Sequence, residues 1–267
     1  MRVQHNIASM NSYRNFNVNN SKMSKNLEKL SSGYAINRAG DDAAGLAVSE
    51  KMRWQITGLE AATKNAKDGI GLIQTAEGAL TEVHDMLNRM TYLAEQSANG
   101  TYTATDRTNL NLEYAQLNAE IVRINGSANF NGNNLFNNAS NVKITVDENG
   151  IQMTVSTSWS LTSLTALTDD ISSATTAKNA VTKLKADINT VSQKRATLGA
   201  QQNRLEHTVN NLTTSSENLT AAESRIRDTD MAKEMLNFSK LQIMLQAGTS
   251  MLAQANQLPQ NVLALIR

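Results

Sequence analysis

The chain has 267 residues, with 4% aromatic, 18% charged, one proline, no cysteine and a formal net charge of +1. Without cysteine there is no disulfide and no thiolate metal site, and near-zero net charge removes the electrostatic case for nucleic acid or an acidic membrane as partner. Few large side chains and almost no proline suit long helices packed side by side better than a compact enzyme core.

The first residues lack a long apolar run, so no cleaved secretory signal is expected there. No stretch is apolar enough to span a membrane. Residues 1–32 are predicted helical, with a loose stripe of Val3, Ile7, Met10, Met23, Leu27 and Leu30 around a polar, Asn-rich middle of poor helix propensity. Such a helix needs a partner. Ser31, Ser32 and Gly33 break the pattern, and Gly33–Asp42 reads as a connector, with Asp41 or Asp42 placed to cap the next helix.

Residues 43–98 carry two interleaved seven-residue series: Met52, Leu59, Ala66, Ile73, Leu80, Leu87, Ala94, and Gln55, Ala62, Gly69, Ala76, Val83, Met90. This 3.5-residue spacing is that of helices winding around one another, here over roughly 80 Å. Asn99-Gly100 is expected to close the helix in a left-handed cap. A shorter helix spans 106–125, capped by Thr105 or Asp106, with Leu110, Leu117, Ile121 and Ile124 as its apolar edge and Asn125-Gly126 as its stop.

Residues 129–141 are turn-rich, anchored by Phe130, Leu135 and Phe136. Alternation at Val142, Ile144, Val146 and again at Ile151, Met153, Val155 predicts a β-hairpin turning at Asn149-Gly150. Residues 156–176 read as a Ser/Thr-rich surface-hugging connector with apolar points at Trp159, Leu161, Leu164 and Leu167. A second long helix runs from about Ala177 to Ile226. Its seam is Leu184, Val191, Leu198, Leu205, Leu212, Leu219 and Ile226, with a mixed companion series Val181, Ile188, Arg195, Gln202, Val209, Ser216 and Glu223. In Met231–Arg267, Met231, Met235, Phe238, Gln242 and Leu245 mark one face; Leu241, Met244, Gly248 and Met251 mark another. A helix apolar on two sides is covered on two sides.

No serine has a His/Asp setting for nucleophilic catalysis, and no glycine-rich loop resembles a phosphate cradle. His5, His84 and His207 are scattered, the latter two as helix-surface residues. Asp228 and Asp230 lack the rest of a calcium loop and read as a polar joint between helices. Arg89, Leu93 and Gln96 share a helix face outside the seam, which suits a contact within a bundle or between subunits.

Several motifs in order resemble bacterial flagellin: Leu30-Ser-Ser-Gly33, Asp41-Asp-Ala-Ala-Gly-Leu46, Gln74-Thr-Ala-Glu-Gly-Ala-Leu80, Phe130-Asn-Gly132, Asn203-Arg-Leu205, Gln246-Ala-Gly-Thr-Ser250 and Pro259-Gln-Asn-Val-Leu263. The resemblance covers roughly 1–140 and 177–267. It implies a mainly α coiled-coil bundle with one small β-hairpin and paired N- and C-terminal helices. Residues 1–42 and 227–267 would form a discontinuous inner domain, and 43–226 a helical-bundle domain whose connector 156–176 replaces the outer domains of larger members.

The implied function is structural: a non-enzymatic, cofactor-free, extracellular subunit polymerising into the flagellar filament, exported by a type III channel without a cleaved signal. Export chaperone, cap and hook-junction proteins are implied partners; nucleic acid and membrane are not. Polymerisation is expected at Ile7, Met10, Leu27, Leu30, Met235, Phe238, Leu241, Leu245, Leu252, Val262, Leu263 and Leu265. Both terminal segments are expected to order only on assembly. Arg89, Leu93 and Glu113 match the stretch that Toll-like receptor 5 binds, although Tyr92 stands where a glutamate is usual and Glu95 where an apolar residue is usual. The rival readings are a hook–filament junction protein and a secreted coiled-coil adhesin or translocator. The close match at Pro259–Leu263 and the motifs through residues 41–80 favour flagellin over the first, and the apolar stripes at both chain ends disfavour the second.

Overall fold

The computed structural model describes residues 6–136, 142–155, 160, 161, 164 and 169–266, the final nine through their helical backbone alone. Val3, His5, Trp159 and Leu167, and the side chains of Val262, Leu263 and Leu265, lie outside the described residues. In chain order the elements are α1 (Ile7–Ser32), α2 (Ala43–Ala98), α3 (Ala104–Ser127), β1 (Asn129–Phe130), β2 (Asn133–Asn134), β3 (Val142–Thr145), β4 (Gln152–Val155), α4 (Ala174–Arg227) and α5 (Met231–Ile266). They form two compact units: Met1–Ile56 with Glu217–Arg267, and Thr57–Ser216. No helix among the described residues is long and apolar enough to cross a membrane.

The unit 57–216 is built on the seven-residue series. On α2, Leu59, Ala62, Ala66, Ile73, Ala76, Leu80, Val83, Leu87, Met90 and Ala94 are buried; on α4, Leu184, Val191, Leu198, Leu205 and Leu212 are buried. The two helices run antiparallel: a side chain added at Gly69 would lie 3.3 Å from Leu205 Cδ1, and Arg195 Nη2 reaches Glu77 Oε1 at 3.6 Å. α3 lays Ile121 and Tyr114 into the same core, with Leu110, Leu117 and Ile124 at its margin. Burial pushes the pKa of the Tyr114 phenol up, and the carboxylates of Asp169 and Asp187 push it the same way.

The hairpin β3–β4 pairs Val142 with Val155 and Thr145 with Gln152. It rests on two α2 glycines: a Cβ on Gly69 would collide with Ile144, and one on Gly58 with Glu148. The turn closes through Gly150 N donating to Asp147 O at 3.2 Å, with Gly150 at φ 80°. Among the described residues of the connector, Leu161, Leu164 and Ile171 are buried in the core. Polar groups of the helices satisfy its backbone. Asn125 Oδ1 accepts from Leu161 N at 2.9 Å, Asn111 Oδ1 accepts from Ile171 N at 3.1 Å, and the Ser97 hydroxyl donates to Ile171 O.

Four local expectations need correction. Gly100 is not left-handed; α2 stops at Ala98, and Arg107 from α3 donates to the carbonyls of Ser97 (2.9 Å) and Asn99 (3.0 Å), so a side chain meets the orphan carbonyls that a glycine cap would have served. The cap of α3 is Thr103, in a reciprocal box with Asp106, because that pair satisfies two terminal donors at once. Asn129–Asn134 is a second hairpin, its two-residue turn supplied by Asn131 (φ 51°) and Gly132 (φ 81°). His84 is half-buried with Nδ1 shielded from solvent, whereas His207 is exposed.

In the other unit, Gly33 ends α1 in the left-handed conformation at φ 76°. The chain then pairs Tyr34 with Asp228, with Ala35 N donating to Arg227 O and Thr229 N to Gly33 O. Arg227 lies over the Tyr34 ring and bonds Glu50 at 2.6 Å. Asp42 Oδ1 accepts from Gly45 N at the start of α2, and Asp230 Oδ1 accepts from Lys233 N at the start of α5. Those carboxylates face helix N-termini, where backbone dipoles favour negative charge.

Truncating the seam residue Leu205 to alanine is expected to cost about 2–5 kcal/mol. Glu206→Ala, one position off the seam on the exposed side, leaves thermal and urea melts close to wild type. Equal losses in the two variants would refute the register.

Candidate self-assembly surface

α1 and α5 pack against each other in an antiparallel pair. Contact positions advance by threes and fours on both helices: Ser9, Ser12, Phe16, Asn19, Met23, Asn26 and Leu30 on α1, and Glu234, Phe238, Leu241, Leu245, Gly248, Leu252 and Ala255 on α5, each buried or half-buried. The register is set by close contacts along the pair. Asn6 Nδ2 donates to Ala255 O (2.8 Å), Ser9 Oγ to Asn256 Oδ1 (2.8 Å), and Asn26 Nδ2 to Glu234 Oε1 (2.7 Å). Phe16 sits over Gly248, 3.5 Å from where a Cβ would stand.

This seam is far more polar than that of α2 and α4. On the α1 side only Phe16, Met23 and Leu30 supply apolar side chains. Asn26 is 4% exposed, and its Oδ1 is shielded from solvent with no hydrogen-bond partner among the described residues. A buried asparagine at a seam position selects register at a cost in stability.

The expected apolar stripe of α1 therefore divides. Met23 and Leu30 face α5, while Ile7 (59%), Met10 (57%) and Leu27 (48%) remain exposed. On α5, Phe238, Leu241, Leu245 and Leu252 are engaged with α1 inside the chain, and Met235 is half exposed. Leu236 (73%) and Ile243 (66%) were not singled out from the sequence and are among the most exposed large apolar side chains. Phe16 also escaped the sequence reading, although it lies seven residues before Met23 and fourteen before Leu30. Exposed large apolar side chains thus occur along both helices of the pair.

Arg89, Leu93 and Glu113 separate into a surface pair and a core residue. Arg89 Nε bonds Glu113 Oε1 at 2.7 Å, and its guanidinium lies 5.4 Å from the ring centre of the exposed Tyr92. The hydrogen bond from Arg89 holds the Glu113 carboxyl below the usual carboxylate range. The pairing is thus in place above that range and is lost only as pH falls through the lowered value. Leu93 is 1% exposed and belongs to the core, because α3 covers α2 on a second side there and widens its buried stripe. Gln96 donates to the Tyr102 hydroxyl at 2.6 Å. Among the described residues no cluster of three His, Asp or Glu side chains could hold a metal ion.

Two family models match: the bacterial flagellin N-terminal helical region over residues 3–141 and the bacterial flagellin C-terminal helical region over 181–266. A flagellin of Halalkalibacterium halodurans is 50% identical over 274 aligned residues, and one of Bacillus subtilis is 49% identical over 304, each alignment covering 100% of both chains. Among solved structures, the crystal structure of Bacillus cereus flagellin superposes with a TM-score of 0.52 at 38% identity, covering 60% of this chain and 94% of that one.

Stability measurements separate the three residues near α3. Leu93→Ala is expected to destabilise by about 2–5 kcal/mol, the usual range for a truncated core leucine. Arg89→Ala leaves the melt nearly unchanged, because solvent screens an exposed ion pair. A melt showing the reverse order would place Leu93 at the surface and refute its burial under α3.

Proposed function

The chain belongs to the bacterial flagellin family, and from this we propose that the exposed apolar residues of α1 and α5 are where one subunit takes hold of the next. The protein is a structural, non-catalytic subunit of the extracellular flagellar filament and serves motility as a homopolymer. The observation that carries the proposal is the exposure of Ile7, Met10, Leu27, Met235, Leu236 and Ile243 on a helix pair whose α1 face carries serine or asparagine at four of its seven seam positions. Ordering each backbone residue costs about 1–2 kcal/mol, and the polar seam positions of α1 contribute little apolar burial against it. Neighbouring copies supply the rest. An interface between different surfaces of successive copies extends as an open helix.

In this reading residues 1–42 and 227–267 are the inner, channel-lining domain of the filament, and 43–226 the domain outside it. Val262, Leu263 and Leu265 add to the contact. The subunit leaves the cell unfolded through a type III export channel without a cleaved signal, and meets an export chaperone, the filament cap and hook-junction proteins on the way. Limited proteolysis of the free subunit should trim both ends and stop near residues 40 and 230. The trimmed product should keep its helical melt and form no tubes by electron microscopy. Resistance of the ends, or tubes from the trimmed product, would overturn the assignment.

A second reading concerns the Arg89–Glu113 pair, which presents a charged, solvent-facing site beside the exposed Tyr92. We propose it as the footprint of Toll-like receptor 5, with Leu93 shaping the site from beneath. Binding of the full chain to the receptor ectodomain should weaken in Arg89→Ala. Equal binding by both proteins, or none by wild type, would remove the footprint.

A further inference from the structure

We propose that Asn131 is the preferred site of spontaneous deamidation in this protein, a covalent modification that the fold directs to one of four chemically equivalent positions. The sequence contains four Asn-Gly pairs, at 99–100, 125–126, 131–132 and 149–150. An unfolded chain has no reason to distinguish them, since in each the glycine offers an unhindered backbone nitrogen. In the reaction that nitrogen attacks the asparagine side-chain carbonyl carbon. A five-membered succinimide ring closes, the carbon–nitrogen bond to the side-chain amide breaks, and ammonia leaves with the proton from the glycine N–H. Water then opens the ring at either carbonyl, yielding aspartate or isoaspartate. Water enters and ammonia leaves, with no oxidant, enzyme or cofactor.

Folding acts on the two requirements: a glycine N–H that is not already engaged, and an asparagine side chain free to swing toward it. Asn125 fails both. It is buried within α3, and its Oδ1 accepts from Leu161 N at 2.9 Å. At Asn149 the following N–H, that of Gly150, donates to Asp147 O at 3.2 Å, while Asn149 Nδ2 donates to Asp147 Oδ2 at 3.1 Å. Asn99 is partly held: its Oδ1 accepts from Thr101 N at 3.3 Å and its carbonyl from Arg107 at 3.0 Å. Asn131 and Gly132 are both exposed, and neither makes a hydrogen bond in the described structure. They form the two-residue turn between β1 and β2, so the ladder ties the flanking pairs Phe130–Asn133 and Asn129–Asn134 and not the turn itself.

The product would matter locally. Asn131 borders a groove shared with Asp68, Gly69, Phe130 and Lys143. Deamidation places a new carboxylate in that groove. Isoaspartate also routes the main chain through an extra methylene inside a turn whose register depends on having two residues. The Phe130 ring, 3.9 Å from the position of a Cβ on Gly71, is the first packing contact this would disturb. None of this depends on the assembly reading.

The test is a peptide map of the full chain over time in mildly alkaline buffer, in the folded state and in urea. Tandem mass spectrometry reads the one-dalton gain at each Asn-Gly pair, and isoaspartate is counted separately. In urea the four sites should react at similar rates. In the folded protein, checked by circular dichroism, Asn131 should react at least about fivefold faster than Asn149 and faster still than Asn125, since those sites must open locally first. Asn99 should fall between. Asn131→Gln should abolish the fast phase. Equal rates at the four folded sites, a faster reaction at Asn149, Asn125 or Asn99, or a fast phase that survives Asn131→Gln would each overturn the proposal.

Discussion

The contact between α2 and α4 in the unit 57–216 is the constraint on which the rest depends. Leu80, Leu87, Leu184 and Leu205 are essentially inaccessible to solvent. Full burial of such a side chain contributes about 1.5–3 kcal/mol, and the contacts recur with every heptad. Small residues such as Ala62, Ala66, Gly69 and Ala76 alternate with the leucines on α2, and the hairpin β3–β4 finds its seat on the bare backbone at Gly58 and Gly69. α3 and the connector act as lids on the surface that pair leaves uncovered, through Tyr114, Ile121, Leu161 and Ile171.

The pairing of α1 with α5 uses the same spacing with a more polar face on α1. On α1, Ser9, Ser12, Asn19 and Asn26 interrupt the apolar line of Phe16, Met23 and Leu30, and further large apolar side chains point away from the partner. Ile7, Met10, Leu236 and Ile243 are exposed where a self-sufficient helix pair would place charge. That arrangement is unfavourable for an isolated chain and suits a subunit whose ends are finished by its neighbours.

Local caps serve most of the helix ends described above, and bonds from other elements add to them. Arg107 of α3 satisfies the end of α2, Asn125 of α3 satisfies the connector, and the Gly33–Ala35 backbone pairs with Arg227–Thr229. Each of these ties segments distant in sequence. The alignment of the elements is thereby secured by directional bonds as well as by apolar burial.

The sequence by itself determined the helices and their seams, because a seven-residue apolar repeat has one low-energy realisation and seam positions can be counted. It also determined the hairpin β3–β4, through strict alternation around Asn149-Gly150, and the polar joint of Asp228 and Asp230 ahead of α5. Tertiary structure decided what counting along one helix cannot reach. Leu93 and Tyr114 are buried because α3 crosses a second side of α2. The end of α2 is served by an arginine on another helix, so Gly100 need not be left-handed. The stripe on α1 splits because an antiparallel partner meets only the line through Phe16, Met23 and Leu30, leaving Ile7, Met10 and Leu27 outside. Periodicity reports which residues share a face; which face is covered, and by what, depends on a partner whose position appears nowhere in the local pattern.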